Sequence, residues 1–248
     1  MRDDATAKAR LIASPRGTPI LLPMSELVAR NAFLLEGEQA GFDEFLARAE
    51  AGSPAAQAVV AFMYLNGWLD DENYLAAATN WATMSAESGE PYGRWVLAWA
   101  LLERGDIKGG LPAMVQAAEL GFLPAFYDIG MFLRDGVIFP KDLETGCAFL
   151  RSAAAKGHYS SFMALRMAAK HGAFGPKEKL VATLTLPFVK AVRLGFWFFF
   201  QPKFTEKNLI YVRSMHVRNS IRREYGGETV SFEYENMLDE MLRKIQSE

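Results

Sequence analysis

The chain has 248 residues, of which 50% are apolar and 23% are charged, and this composition excludes a globally disordered protein. Its 27 Lys and Arg against 29 Asp and Glu give a net charge of −2, which argues against nucleic acid or an anionic membrane as the main partner. A single cysteine, Cys147, excludes an internal disulfide framework, so we expect a cytoplasmic protein.

The first elements in the chain are a lead and a degenerate hairpin. Residues 1–23 carry charges and prolines but no apolar stretch of secretory length, so we expect an extended or disordered lead and no signal peptide. Residues 25–36 and 42–50 are interpreted as a degenerate first helical hairpin. The most apolar window, residues 184–200, is too short and too charged for a membrane-spanning helix.

A repeat is marked by glycines that follow short alanine-rich runs. The gaps between these glycines are 37, 32, 36 and 38 residues, and the residue three before each is small or β-branched. A period of this length, closed by a glycine that can adopt the left-handed conformation, predicts stacked helical hairpins. Ala154, three residues before the fourth glycine, is expected to pack closely against a neighbouring helix. The five glycines are Gly52, Gly89, Gly121, Gly157 and Gly195.

Inside each unit, apolar residues recur three and four positions apart, which predicts helices rather than strands. The second helix of the first full repeat is predicted over residues 74–88. Each hairpin buries its apolar face only against the next one, so the predicted fold is an α-solenoid. The predicted first helices of the four full repeats are residues 55–66, 92–104, 124–135 and 160–171.

Two stretches of this pattern resemble the Sel-one-like repeat (SLR) family, a relative of the tetratricopeptide repeats. The resemblance covers about residues 42–195 and implies an all-α, right-handed α-solenoid of stacked hairpins over residues 24–195. It is specific for fold and much less specific for function. In the first full hairpin the matching residues are Val60, Ala61, Tyr64, Gly67, Ala78, Trp81, Ala86 and Gly89; in the third they are Ile129, Gly130, Leu133, Gly136, Val137, Asp142, Gly146, Phe149, Ala153, Ala154 and Gly157.

Residues 196–248 differ in composition, because no alanine follows Ala191. We interpret them as a divergent helical C-terminal cap, since an end repeat otherwise exposes its stacking face. The segment 203–223 is basic and the segment 224–248 is acidic. These blocks either pair with each other or offer a secondary surface to an acidic partner or a headgroup surface. The residues of this predicted secondary surface are Phe198, Arg213, Arg218 and Arg222.

No motif in the sequence points to catalysis. The three histidines stand far apart without metal-ligand spacing, and nucleotide-binding glycine motifs are absent. Cys147 is interpreted as a small apolar filler. We therefore expect no catalytic residue, no metal and no cofactor, and a protein that is not an enzyme.

The first helices carry a line of aromatic, methionine and arginine side chains. By the geometry that the SLR resemblance implies, these positions line the concave groove, where they predict binding of a protein or peptide. The alternative is that the stripe is core, or that the ends of the chain fill the groove. Replacement of Trp99 by Ala separates the two, since it weakens binding in an open groove and destabilises a core. The predicted groove residues are Phe62, Trp95, Trp99, Tyr127, Met131, Arg134, Met163 and Met167.

These observations predict a non-catalytic adaptor or scaffold for a protein or peptide, with no nucleic-acid partner. The alternative is a scaffold subunit of a bacterial envelope or polysaccharide-assembly system, a role that the SLR resemblance implies. In that case the C-terminal aromatic and basic segment contacts a membrane protein. Any membrane association is expected only through a partner.

Overall fold

The computed structural model describes residues 38–66 and 72–200, together with residues 26, 29, 69, 238–241 and 243. Side chains are described within 40–66 and 72–188 and at the isolated positions. All regular secondary structure in these residues is helical, and successive helices pack in antiparallel order along the chain. The predicted lead and most of the predicted cap lie outside the described residues.

The helices match the predicted hairpins closely. The four first helices of the full repeats begin and end within one residue of the predicted positions. The segment 42–50 lies in the first described helix, whereas only Glu26 and Ala29 are described from residues 25–36. The helices are α1 (Glu38–Glu50), α2 (Pro54–Leu65), α3 (Tyr74–Glu87), α4 (Pro91–Glu103), α5 (Ile107–Glu119), α6 (Leu123–Asp135), α7 (Leu143–Ala155), α8 (Tyr159–Lys170) and α9 (Pro176–Phe200).

The repeat glycines end helices as the period predicts. Gly52, Gly89, Gly121 and Gly157 have φ between +84° and +92°, which is the left-handed region that favours glycine. The fifth glycine is different, because α9 continues through Gly195 to Phe200. The prediction that Gly195 ends a helix is therefore wrong: four glycines close hairpins and the fifth lies inside a long helix.

Several helices begin at capping side chains. Asp106 Oδ1 accepts a hydrogen bond from the Gly109 amide at 2.9 Å, and Asp142 Oδ1 accepts one from the Thr145 amide at 3.0 Å. Each satisfies a backbone donor that the first turn of a helix leaves without an intrahelical partner. Helices α2, α4 and α6 have a proline in the first turn. Proline is suited to this position, because the N–H group that it lacks would have no acceptor within the helix.

Two glycines allow α6 and α7 to cross closely. A Cβ added at Gly130 would lie 2.9 Å from the Gly146 carbonyl oxygen, and one added at Gly146 would lie 2.7 Å from the Gly130 oxygen. Both distances are shorter than the closest approach that a carbon atom and an oxygen atom normally reach. The two helices of this hairpin therefore approach backbone to backbone, which requires glycine at both positions.

The core is a continuous cluster of buried apolar side chains from α1 to α7. Pairs α2/α3, α4/α5 and α6/α7 pack most extensively, and α2 also packs on α4, the first helix of the next repeat. A smaller cluster of Met131, Leu150 and Ala164 connects α6 and α7 to α8. This arrangement of hairpins, each packed on the next, is that of an α-solenoid.

The C-terminal end of the solenoid is α9. This helix runs through residue 195, where the boundary between the repeats and the cap is predicted. Ala182 and Leu186 are buried on one of its faces. None of the described helices is both long and apolar enough to cross a membrane.

Candidate interaction surface

The predicted groove residues lie on consecutive first helices of the repeats, and we call this set the first-helix row. Phe62 lies on α2, Trp95 and Trp99 on α4, and the remaining members on α6 and α8. Exposure changes along the row. The row therefore divides into a closed part, which is buried, and an open part, which solvent reaches; the closed part is Phe62, Trp95, Trp99 and Met131, and the open part is Tyr127, Arg134, Met163 and Met167.

The closed part is held by ring contacts. Phe62 stacks on Trp95 with ring centroids 6.0 Å apart and an interplanar angle of 17°, and Trp99 meets the ring of Phe132 at 5.7 Å. Phe62, Trp95 and Trp99 are each only 1% exposed, and Met131 is 6% exposed. The expectation of an open groove is wrong for these four side chains. The alternative, a core stripe, describes them.

A buried carboxylate lies at the centre of the closed part. Asp128 of α6 is 1% exposed, and its Oδ2 accepts hydrogen bonds from the indole nitrogens of Trp95 at 2.8 Å and Trp99 at 3.0 Å. Removal of a carboxyl group from water costs free energy, so a buried acid needs hydrogen-bond donors of this kind. Asp128 thus connects the second and third repeats.

Sequence reasoning missed Asp128. A signal for it was present, since this acid stands in the otherwise apolar run of residues 122–133 and points to a buried partner. The identity of that partner was hidden, because the two tryptophans lie in another repeat.

The open part lies where α6 meets α8. Tyr127, Arg134, Met163 and Met167 are partly exposed, so these side chains remain accessible. The Arg134 guanidinium makes two hydrogen bonds to the neighbouring Asp135, from Nε at 2.7 Å and from Nη2 at 3.1 Å. Its charge is therefore largely balanced, and the surface offers one aromatic ring and two flexible thioethers.

A buried histidine, His158, packs against Tyr127 of the open part. His158 caps α8, where its Nδ1 accepts from the Ser161 amide at 3.3 Å and lies 2.8 Å from the Ser161 hydroxyl. The Tyr127 and His158 rings lie 5.5 Å apart. Burial lowers the pKa of His158 to about 4, so the ring is neutral near pH 7. With Nδ1 accepting, the proton resides on Nε2.

Cys147 and the possible metal ligands are the other residues with reactive groups in the described part of the chain. Cys147 is fully buried in α7, and burial raises the pKa of its thiol. Within residues 40–66, 72–188 and the isolated described positions, no three His, Cys, Asp or Glu side chains gather as a metal site would require.

Most residues of the predicted secondary surface lie outside the part of the chain that the structure describes. Phe198 lies within α9, and Arg213, Arg218 and Arg222 lie outside the described residues. Their role stays a prediction.

The structure also shows an apolar face that sequence reasoning missed. Leu180, Leu184 and Phe188 recur every four residues on α9 and are between 61% and 69% exposed. The spacing of these residues is visible in the sequence.

Comparison with known proteins bears on the fold. A structure search matches the chain to a protective antigen present in uropathogenic Escherichia coli strains, whose crystal structure displays an SLR fold. The TM-score is 0.51 at 17% identity, over 90% of this chain and 53% of that one, so the chain spans about half the length of the antigen. No family model and no curated protein matches the sequence. The predicted fold class is confirmed: the chain has the SLR fold.

Proposed function

We propose that this SLR-fold chain is a non-catalytic adaptor or scaffold that binds a protein or peptide through the open part of its first-helix row. One observation carries the proposal. Equivalent positions are buried on α2 and α4 but accessible on α8, where Met163 and Met167 take the place of Trp95 and Trp99. An accessible apolar surface on a rigid scaffold is typical of a site for protein recognition.

The chemistry of the open part indicates the kind of partner. Tyr127 provides a rigid ring, and the two methionines provide side chains that adapt their shape to an apolar anchor. Because Arg134 is paired with Asp135, the surface is not strongly basic. The partner we propose is a protein segment with apolar anchors, and the site requires neither nucleic acid nor a cofactor. We keep the cytoplasm as the proposed location.

The proposal is tested by paired substitutions in an otherwise intact chain. The double variant Met163→Asp, Met167→Asp carries two new charges in the open part. We expect its binding to the partner to be weaker by about 2 kcal/mol or more. Met84 is a matched control, because it is a methionine that is 47% exposed on a second helix, α3. Affinity capture from the native host with quantitative mass spectrometry compares wild type, the double variant and Met84→Asp.

The informative result is a protein that wild type and Met84→Asp capture equally and the double variant does not. Circular dichroism must show that the double variant keeps its helix content. If every protein captured by wild type is captured equally by the folded double variant, the open part is not the binding site.

The alternative, a scaffold for an envelope or polysaccharide assembly, has one observation in its favour. Leu184 and Phe188 are each 69% exposed on α9, and Phe188 lies eight residues before the aromatic run 196–200. A membrane protein that covers this face would hold the chain at the membrane. Leu184→Asp with Phe188→Asp would then abolish co-fractionation with membranes in the native host, whereas the adaptor proposal expects no change in fractionation.

A further inference from the structure

Two residues near the C-terminus of the chain lie in the core of its N-terminal repeats. Leu238 is 6% exposed and Met241 is 3% exposed, and both belong to the continuous buried cluster that contains Phe62, Trp95 and Trp99. The chain therefore returns from α9, at one end of the solenoid, to the α1–α7 core.

The groove side of α2, the first helix of the first full repeat, is buried although a simple solenoid would leave it exposed. In a solenoid of two helix layers, such a helix contacts its neighbours on three sides, and its fourth side faces the groove. In α2, however, Ala58, Phe62 and Leu65 on the predicted groove side are at most 2% exposed. The corresponding positions on α8, Met163 and Met167, are not buried. Some part of the molecule covers the row at α2 and not at α8.

One described segment outside the repeats contributes large side chains to this cluster. Among the described residues of this cluster, those outside residues 38–188 are Ala29, Leu238 and Met241. Alanine contributes one methyl group, so among the described residues the large side chains from outside the repeats are those of Leu238 and Met241. Leu238 and Met241 are three residues apart and share one helix face, whereas Asp239, Glu240 and Arg243 are exposed. The segment is thus amphipathic, with its apolar face on the core.

We propose that residues 238–241 are a built-in ligand of the solenoid, which occupies the closed part of the first-helix row at Phe62, Trp95 and Trp99 and can be displaced from it. An amphipathic helix that lays leucine and methionine anchors three residues apart into an apolar groove is a common mode of peptide recognition. The closed part is then a second binding site held shut by the chain itself. A partner helix with the same anchor spacing competes for it. This inference does not depend on the partner proposed for the open part.

The test uses the full chain and a synthetic peptide. Leu238→Asp with Met241→Asp removes the two anchors, and Arg243→Asp is the matched control because it introduces the same charge at an exposed position of the segment. The probe is a fluorescently labelled peptide of residues 232–248, and binding is measured by fluorescence anisotropy. We expect the double variant to bind the peptide roughly tenfold or more tightly than wild type or Arg243→Asp does, because its own segment no longer competes.

A second peptide, with the same two Asp substitutions, is expected not to bind the double variant. Equal peptide affinity for wild type, the control and the double variant would overturn the proposal. If the Asp pair does not fold by circular dichroism, the same measurement is made with Leu238→Ala and Met241→Ala. If the Ala pair is also unfolded, the segment is an integral part of the core and not a displaceable ligand. Neither result alters the test with Met163 and Met167.

Discussion

The Trp99 indole donates its Nε1 hydrogen to Asp128 Oδ2 at 3.0 Å, and the same oxygen accepts from Trp95. Both tryptophans lie on α4 and the aspartate lies on α6, so one buried carboxylate connects two successive repeats. Hydrogen bonds to a charged group are worth more than neutral ones, and more still when they are buried. The contact is therefore an inter-repeat link within the core, at positions where the sequence predicted a binding surface.

The first prediction concerns this carboxylate. Asp128→Ala removes the acceptor of both indole hydrogens and leaves space in the core, so we expect the free energy of unfolding to fall by about 3 kcal/mol or more. Asp128→Asn keeps a carbonyl oxygen at the same place and should cost clearly less. Urea denaturation followed by circular dichroism measures both. Equal losses for the two variants would mean that the hydrogen bonds contribute little.

The second prediction concerns Trp99 and separates core from groove. Trp99→Ala leaves a cavity beside Phe132, so we expect a loss of about 3 to 5 kcal/mol of stability. Trp99→Phe retains most of the apolar ring and loses the hydrogen bond to Asp128, so its loss should be smaller. Thermal denaturation provides the comparison. An unchanged melting temperature for Trp99→Ala would show that the ring is not in the core.

The third prediction corrects the expected packing position on α7. Ala153 is fully buried, whereas Ala154, the residue expected to pack closely, is only partly buried. Ala153→Phe should therefore destabilise the chain by about 1 to 3 kcal/mol through overpacking. Ala154→Phe is the matched control and should cost less. If the control is the more destabilised variant, the packing assigned to α7 is wrong.

The period of the glycines predicted the fold, and the apolar periodicity inside each unit predicted the bounds of the first helices. It did not predict which side chains are covered, because periodicity locates the faces of a helix and not what lies against them. Met131 and Met167 occupy equivalent positions, yet only Met131 is buried. Ala153 and Ala154 show the same limit, since one position around a helix is a turn of about 100°. The ring of Phe62 packs against Tyr92 and Trp95, which lie in the next repeat.

The fourth prediction is a pH dependence that originates at His158. Its pKa in the folded chain is about 4, below the ordinary value of 6.5, so the unfolded chain takes up the proton first as the pH falls. The contribution of the neutral ring to stability is complete above pH 6.5. It is lost as the pH falls towards 4, and it amounts to about 3 kcal/mol.

His158→Asn tests this dependence, because asparagine also caps helices but does not titrate in this range. The free energy of unfolding of the variant should change less between pH 6.5 and pH 4 than that of wild type. Urea denaturation at several pH values measures both chains, and the common titration of the carboxylates cancels in their difference. Parallel curves for the two proteins would contradict the assignment.

The division of the first-helix row into a closed and an open part is tested most directly by methionine oxidation. Dilute hydrogen peroxide converts exposed methionines to sulfoxides, and peptide mass spectrometry gives the rate at each position. We predict that Met84, Met163 and Met167 are oxidised several times faster than Met131, and that Met241 is as protected as Met131. Oxidation of Met131 or Met241 at the rate of Met84, or protection of Met163 and Met167, would contradict the division.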